Sequence, residues 1–121
     1  MKYDDNNIFA KILRGEIPCN KIYEDDFVLS FYDINPQKKI HALVIPKGKY
    51  IDLDDFNTNA SNDEIIGLMK GITIVSKKLG ISSFDSKGYR ALANISENGG
   101  QEVPHLHFHL FGGEKVGKMV S

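Results

Sequence analysis

The pattern of apolar and polar positions along the chain predicts five β-strands and two helices. Five segments alternate or are continuously apolar and end at turn-forming residues, which is typical of strands: 19–23, 27–33, 41–45, 89–95 and 103–111. Asn7 is the expected N-cap of a short helix, whose apolar residues recur at helical spacing before Gly15. The polar stretch 52–62 is expected to be mostly loop.

A long amphipathic helix is predicted to follow Ser61. Ser61 and Glu64 form a capping-box pattern, and apolar residues then recur at helical spacing as far as Leu79, where Gly80 ends the helix. The apolar stripe is broad, and both core packing alone and an added contact with a second subunit explain its width. Two helices and about five strands without regular βαβ alternation predict an α+β domain built on an antiparallel sheet.

The overall composition sets limits on the class of protein. The 121 residues are expected to form one domain, 1–121, with a core of its own. Fifteen basic residues nearly balance sixteen acidic ones, so no general attraction to nucleic acid or to an anionic membrane is expected. Cys19 is the single cysteine, which fits a reducing compartment. With no signal-peptide pattern or membrane-length apolar stretch, a cytoplasmic location is expected.

Three of the four histidines occupy alternate positions in one predicted strand. Successive strand residues point to opposite faces, so His105, His107 and His109 are expected on one face and their apolar neighbours on the other. Neutral imidazole is suited to nucleophilic attack, proton transfer or metal ligation near pH 7. The fourth, His41, lies in an apolar strand and is available to join them. The glycine-containing turn 98–101 lets backbone N–H groups approach an anion.

The segment 105–110 resembles the signature of the histidine-triad superfamily. Six further segments resemble its nucleotide-binding (Hint) branch in the same order: 7–12, 15–18, 31–37, 41–46, 99–101 and 111–113. This resemblance covers nearly the whole chain. It implies a histidine-triad fold of about five antiparallel strands with one short N-terminal helix and one long helix, paired into a homodimer with a continuous sheet.

The same resemblance implies a purine nucleoside phosphoramidase. Such an enzyme cleaves the P–N bond of AMP-like substrates through a covalent nucleotidyl-histidine and needs no metal or other cofactor. By that match His107 is the nucleophile, and His105 and His109 orient it and handle protons around the phosphate. His41 is expected to support the cluster from the adjacent strand.

The resemblance also implies a nucleotide-binding set. Asp33 would accept hydrogen bonds from the ribose, and Asn94 would lie near the phosphate with the backbone of Gly100 and Gln101. A carboxylate is repelled by phosphate, so Glu102, where many relatives have serine, is expected to point away or to serve a different leaving group. The residues expected to line the purine pocket are Ile8, Phe9, Ile12, Phe31, Tyr32, Ile34 and Leu43.

Two other functions compete with this interpretation. Three histidines on one strand face, completed by water, are also a known catalytic zinc arrangement. A non-catalytic nucleotide-binding adaptor would keep the same fold. A purine nucleotide and a second copy of the chain are the expected partners, whereas nucleic acid and membrane are not.

Overall fold

The computed structural model describes residues 2–119. They form a five-stranded antiparallel sheet in the order β1-β2-β3-β5-β4, with three α-helices. The strands are β1 (Lys21–Glu24), β2 (Val28–Tyr32), β3 (Ile40–Pro46), β4 (Arg90–Leu92) and β5 (Phe108–Gly112), and the helices are α1 (Ile8–Leu13), α2 (Leu53–Asn59) and α3 (Asn62–Lys78). One short 3₁₀ turn, Ser83–Asp85, precedes β4. The predicted α+β class and antiparallel sheet are therefore confirmed.

The caps predicted for two helices are present. The Asn7 side chain accepts a hydrogen bond from the backbone of Ala10 at the start of α1. Ser61 and Glu64 bond each other's backbone N–H groups at the start of α3, as the capping-box pattern predicted. Within residues 2–119 no helix has both the length and the apolar character needed to cross a membrane.

The prediction of a loop at 52–62 was wrong, because α2 lies within it. The Asp52 side chain caps the helix by accepting from the backbone N–H of Asp55. Phe56 is its one buried residue, so the helix shows no apolar stripe in the sequence. A capping carboxylate followed by two further acidic residues was the available signal.

The predicted strand 103–111 begins five residues late. Before β5, the backbone N–H of His105 bonds the carbonyl of Val103, and the N–H of Leu106 bonds the carbonyl of Tyr50. The chain around Pro104 is therefore bent, and only His109 of the three histidines lies inside the strand. The predicted strand 89–95 is also shorter, since β4 contains only three residues.

The two faces of the sheet bury different residues. The face against α3, called the helix face, has an apolar core, and Leu106, Phe108 and Leu110 all pack there as alternation predicted. The opposite face, called the histidine face, carries a smaller apolar cluster next to the functional side chains. Its buried members are Phe9, Leu29, Phe31, Leu43 and Ile45.

Candidate active site

A cavity of about 330 Å³ opens on the histidine face. It is bounded by β3, β5 and the loops that precede β3 and β5, so residues distant in sequence meet there. Nine of the residues predicted for the site line it: Phe9, Asp33, His41, Leu43, Asn94, Gly100, Glu102, His107 and His109. Three residues not predicted for the site complete the lining: Asn35, Gln37 and Val103.

His105 lies behind the cavity and is fully buried. Its Nε2 is 2.8 Å from the carbonyl oxygen of Pro46, which can only accept, so Nε2 carries the ring proton. Its Nδ1 is 2.6 Å from the Tyr3 hydroxyl, which donates. Burial lowers the pKa of His105 to about 4, so the ring is neutral at pH 7. Both nitrogens are thus occupied within the protein.

His107 presents a nitrogen lone pair to the cavity. Its Nδ1 is 2.8 Å from the carbonyl oxygen of His105 and must donate, so Nε2 of the neutral ring is unprotonated. Burial lowers the pKa of His107, although that hydrogen bond and the charges of Asp33 and Glu102 act in the opposite direction. In residues 2–119, Ser30 Oγ is the only side-chain nitrogen or oxygen that is both buried from solvent and without a hydrogen-bond partner. Nε2 of His107 has no partner among these residues either, so it must be accessible to solvent.

His41 and His109 form a directed pair. The backbone N–H of Gln37 donates to Nδ1 of His41 at 3.1 Å, so Nε2 of His41 carries a proton and donates to Nδ1 of His109 at 2.9 Å. The proton of neutral His109 is then on Nε2. Burial, followed by the charges of His107 and His41, lowers the pKa of His109 to about 4. Burial also lowers the pKa of His41, against the attraction of Asp33.

Asp33 lies at the rim of the same pair. One carboxylate oxygen accepts from the backbone N–H of Asn35 at 2.8 Å, and the other is 3.5 Å from Nε2 of His41. The backbone N–H of Asp33 donates to the carbonyl of His41 at 3.0 Å. The side chain therefore acts as a turn residue, and Asp33 also lines the cavity.

Among residues 2–119, those best placed to hold a metal are Asp33, His41 and His109, whose donor atoms lie within 4.8 Å of one another. The hydrogen bond from Gln37 places a proton on the His41 nitrogen that faces this cluster, and a cation would have to displace it. The zinc site considered from the sequence needs His105 as a ligand, and neither of its nitrogens is free.

The glycine turn before the histidines brings backbone to the cavity wall. A side chain at Gly99 would collide with the backbone of Ile95, and Gly100 has a φ of +75°, which favours glycine. Asn94 donates to the carbonyl of Gly99 at 2.7 Å. Gln101 uses its side chain inside the loop, accepting from Ser96 N–H and donating to two carbonyls. The backbone N–H groups of Gln101 and Gly100 also donate within the loop, to the carbonyls of Ser96 and Glu97, each at 3.0 Å.

The structure divides the predicted purine-pocket residues. Phe9 and Leu43 line the cavity, and the Phe9 ring meets the His107 ring edge-on at 4.9 Å between centroids. Phe31 lies one layer back, against Phe9. Tyr32 pairs with Ala42 of the helix face and so points to the other side of the sheet. The remaining members, Ile8, Ile12 and Ile34, do not line the cavity, and Ile34 is 85% exposed.

Two residues that bond the histidines were not predicted from the sequence. Tyr3 lies 102 positions from His105, and no periodicity or motif links them. Gln37 acts through its backbone N–H, which every residue except proline has, so its identity gave no signal.

An open antiparallel sheet with a cavity walled by neutral, hydrogen-bonded histidines defines an α+β protein with an imidazole-based candidate active site. The chain belongs to the histidine-triad family: the HIT domain matches residues 14–116.

Relatives and solved structures agree with this assignment. A HIT-like protein of Azospirillum brasilense is 50% identical over 119 residues, which is 98% of this chain and 95% of that protein. The purine nucleoside phosphoramidase of Escherichia coli is 38% identical over 117 residues, covering 97% and 95%. A HIT family hydrolase from Clostridium thermocellum superimposes with a TM-score of 0.85 at 35% identity, over 98% and 99% of the two chains.

Proposed function

We propose that this chain is a nucleotide-binding hydrolase that cleaves the P–N bond of purine nucleoside phosphoramidates. The observation that carries the proposal is the unprotonated Nε2 of His107, which opens into the cavity while its Nδ1–H is held by the His105 carbonyl. The names of two relatives support it, since one is a purine nucleoside phosphoramidase and one is a HIT family hydrolase.

In the first step Nε2 of His107 attacks the phosphorus of the substrate. A bond forms from Nε2 to phosphorus, and the bond from phosphorus to the leaving nitrogen breaks, with its electron pair going to that nitrogen. The His107 ring becomes positively charged as it accepts the nucleotidyl group. The carbonyl of His105, 2.8 Å from Nδ1, stabilises that charge because it accepts a stronger hydrogen bond from a cationic ring.

His109 is the flanking histidine assigned to the leaving group. In residues 2–119 it has an Nε2 proton without a protein acceptor, whereas both nitrogens of His105 are occupied. An anionic phosphate bound beside His109 favours its imidazolium form, in which the second proton lies on Nδ1 and the Nε2–H of His41 turns from His109 to the Asp33 carboxylate, 3.5 Å away. The imidazolium then donates its Nε2 proton to the departing amine. Water then attacks phosphorus, the Nε2–phosphorus bond breaks, its electron pair returns to His107, and the proton lost by water returns to His109.

The remaining wall of the cavity is assigned to the nucleotide. Asp33 would accept the ribose hydroxyls, Phe9 and Leu43 would contact the purine, and Asn94 would lie near the phosphate with the backbone of Gly100. For the backbone N–H of Gln101 to join the phosphate set, the phosphate would have to replace its bond to the Ser96 carbonyl. Ile8, Ile12, Phe31 and Ile34 would support the base from outside the present lining, whereas Tyr32 points to the other face of the sheet and is not assigned to the base. Glu102 lines the cavity and its charge acts on His107, so it does not point away as expected; it is assigned to the leaving group and not to the phosphate.

The proposal includes one domain, 1–121, a homodimer and a cytoplasmic location. The long helix α3 supports the dimer, because Ile66 is 51% exposed and Met69 is 47% exposed on its surface. The single cysteine, Cys19, fits a reducing compartment. Sedimentation at micromolar concentration should show a dimer, and a monomer alone would contradict that part of the proposal.

Hydrolysis of adenosine 5′-phosphoramidate by the wild-type chain and by His107→Ala tests the function. We expect turnover by the wild type and a loss of roughly 10³-fold or more in kcat/KM for the variant. AMP binding and the unfolding midpoint should stay close to wild type, which shows that the pocket survives. AMP binding without hydrolysis by the wild type would favour the adaptor function. Stoichiometric zinc with activity lost to chelators would favour the metal site.

A further inference from the structure

The N-terminal segment that precedes α1 contacts His105 from behind the cavity. The Tyr3 hydroxyl lies 2.6 Å from Nδ1 of His105, and the two rings meet edge-on with centroids 5.7 Å apart. His105 is fully buried, so this hydroxyl is the donor that satisfies a nitrogen closed off from water.

Several hydrogen bonds hold this segment against the body of the protein. The carbonyl of Asp4 accepts from the backbone N–H of Asn7 at 3.2 Å and from its side-chain amide at 2.7 Å. The carbonyl of Asp5 accepts from Arg14 at 2.8 Å, and its carboxylate pairs with Lys49 at 2.8 Å. Because Asn7 also caps α1, the position of Tyr3 is tied to the helix that contributes Phe9 to the cavity.

We propose that Tyr3 is a positioning residue for the nucleophile and acts through His105. The inference rests on the proposed function, since it assigns a role in the same reaction. The Tyr3 O–H donates to Nδ1 of His105, which keeps the His105 proton on Nε2, where it bonds the Pro46 carbonyl. Residue 105 is thereby held at both ring nitrogens, and its own carbonyl accepts from Nδ1 of His107.

Without the Tyr3 hydroxyl, no donor would hold His105 in the tautomer that carries its proton on Nε2. Nδ1 of His105 would be buried without a donor, and a proton moved to it would leave Nε2 with a lone pair facing the Pro46 carbonyl. The two lone pairs repel, so ring and backbone shift, and the shift reaches His107 through the His105 carbonyl. Burial raises the pKa of Tyr3, partly offset by a side-chain hydrogen bond with Asn7, so the phenol keeps its proton at neutral pH.

Tyr3→Phe is the test, with Tyr23→Phe as its matched control. Both substitutions keep the ring and delete one hydroxyl that donates a single hydrogen bond, and the Tyr23 hydroxyl bonds Asp25 at 2.8 Å, outside the cavity. The full chain is measured in two ways. Long-range ¹H–¹⁵N NMR reports which ring nitrogens of His105 and His107 carry protons, and steady-state kinetics with adenosine 5′-phosphoramidate separates kcat from KM.

The expected result has two parts. In the wild type at pH 7, His105 shows a protonated Nε2 and His107 a protonated Nδ1. Tyr3→Phe moves the Nδ1 shift of His105 and lowers kcat by about tenfold with little change in KM, because a small misplacement of a reacting group costs rate. Tyr23→Phe leaves both the shifts and kcat at wild-type values.

Three results would overturn the inference. They are an unchanged His105 spectrum in Tyr3→Phe, a changed spectrum with unchanged kcat, or an equal loss of kcat in Tyr23→Phe. A wild-type chain that hydrolyses no phosphoramidate would instead contradict the proposed function. In that case the spectra still decide whether Tyr3 sets the His105 tautomer.

Discussion

The two faces of one sheet show how the same strands serve stability and chemistry. On the helix face, Leu106 and Leu110 are fully buried in the apolar core that includes residues of α3. On the histidine face, His105 and His107 are almost as buried, yet each ring nitrogen that is closed off has a hydrogen-bond partner. Alternation along a single segment sends adjacent residues to these two environments.

The comparison shows that burial has a different consequence for each side-chain type. Apolar side chains gain stability when water is removed, whereas imidazoles stay neutral and their protons go where an acceptor lies. The carbonyls of Pro46 and His105 and the N–H of Gln37 select the tautomers of the four rings. The backbone around the histidine face therefore determines which nitrogen can react.

Replacing Leu110 by Ala should have the largest effect on the helix face. Removal of three buried carbon atoms leaves a cavity under α3, and the free energy of unfolding should fall by about 2–5 kcal/mol in urea titrations. Met119→Ala, an apolar truncation at a position that is 79% exposed, is the control and should change little. The comparison fails if Leu110→Ala lowers kcat of the folded protein as strongly as the histidine variants do.

Acidification should destabilise the histidine face. The pKa of His105 in the folded chain is about 4, below its usual value near 6.5, so the unfolded chain binds more protons between these values. The contribution of His105 to the free energy of unfolding is therefore fully present above pH 6.5 and falls by about 3 kcal/mol as the pH drops toward 4. Urea titrations at pH 7 and 4.5 measure the fall. Equal stability of wild type and His105→Gln across this range would contradict the assignment.

His109→Gln should separate proton transfer from nucleophilic attack. The variant retains a polar group beside His41 but has no imidazole to donate to the leaving amine, so kcat should fall by roughly 10²-fold. Substrates whose leaving group needs no proton should lose much less. A similar loss with both kinds of leaving group would remove His109 as the acid.

Asp33→Asn should have the smallest effect and should act on binding. Asp33 lines the cavity and its carboxylate can accept ribose hydroxyls, so the variant should raise KM about tenfold with a small change in kcat. The 2′-deoxy substrate tests this role, since its KM should differ less between wild type and variant. An unchanged KM for the ribose substrate would contradict ribose binding by Asp33. Its remaining role would be structural, as the acceptor of the Asn35 N–H in the turn.

The sequence predicted the sheet and two helices because their patterns are local. Apolar alternation and the caps Asn7 and Ser61 carry that information within a few residues. The helix α2 was missed because Phe56 alone is buried there. The late start of β5 was missed because its bend depends on a contact between Leu106 and Tyr50, which are far apart in the sequence.

The chemical elements of the site were predictable from the sequence, but their arrangement was not. The resemblance named all four histidines and Asp33, and all but His105 line one cavity. Which nitrogen of each ring carries its proton depends on Tyr3, Gln37 and Pro46, and two of these act through backbone atoms. The contacts of His105 with Tyr3 and Pro46 span 102 and 59 positions, and the nearby contact of Gln37 with His41 uses a backbone N–H that no side-chain pattern encodes.

Trapping the covalent intermediate tests the central claim most directly. The wild-type chain is mixed with adenosine 5′-phosphoramidate and quenched in alkali within the first turnover, and the modified residue is located by mass spectrometry of peptides. We predict one adenylyl group on His107, whose Nε2 is the unprotonated nitrogen open to the cavity. Turnover with the adenylyl group on another residue, or with no adduct at any quench time, would contradict the account.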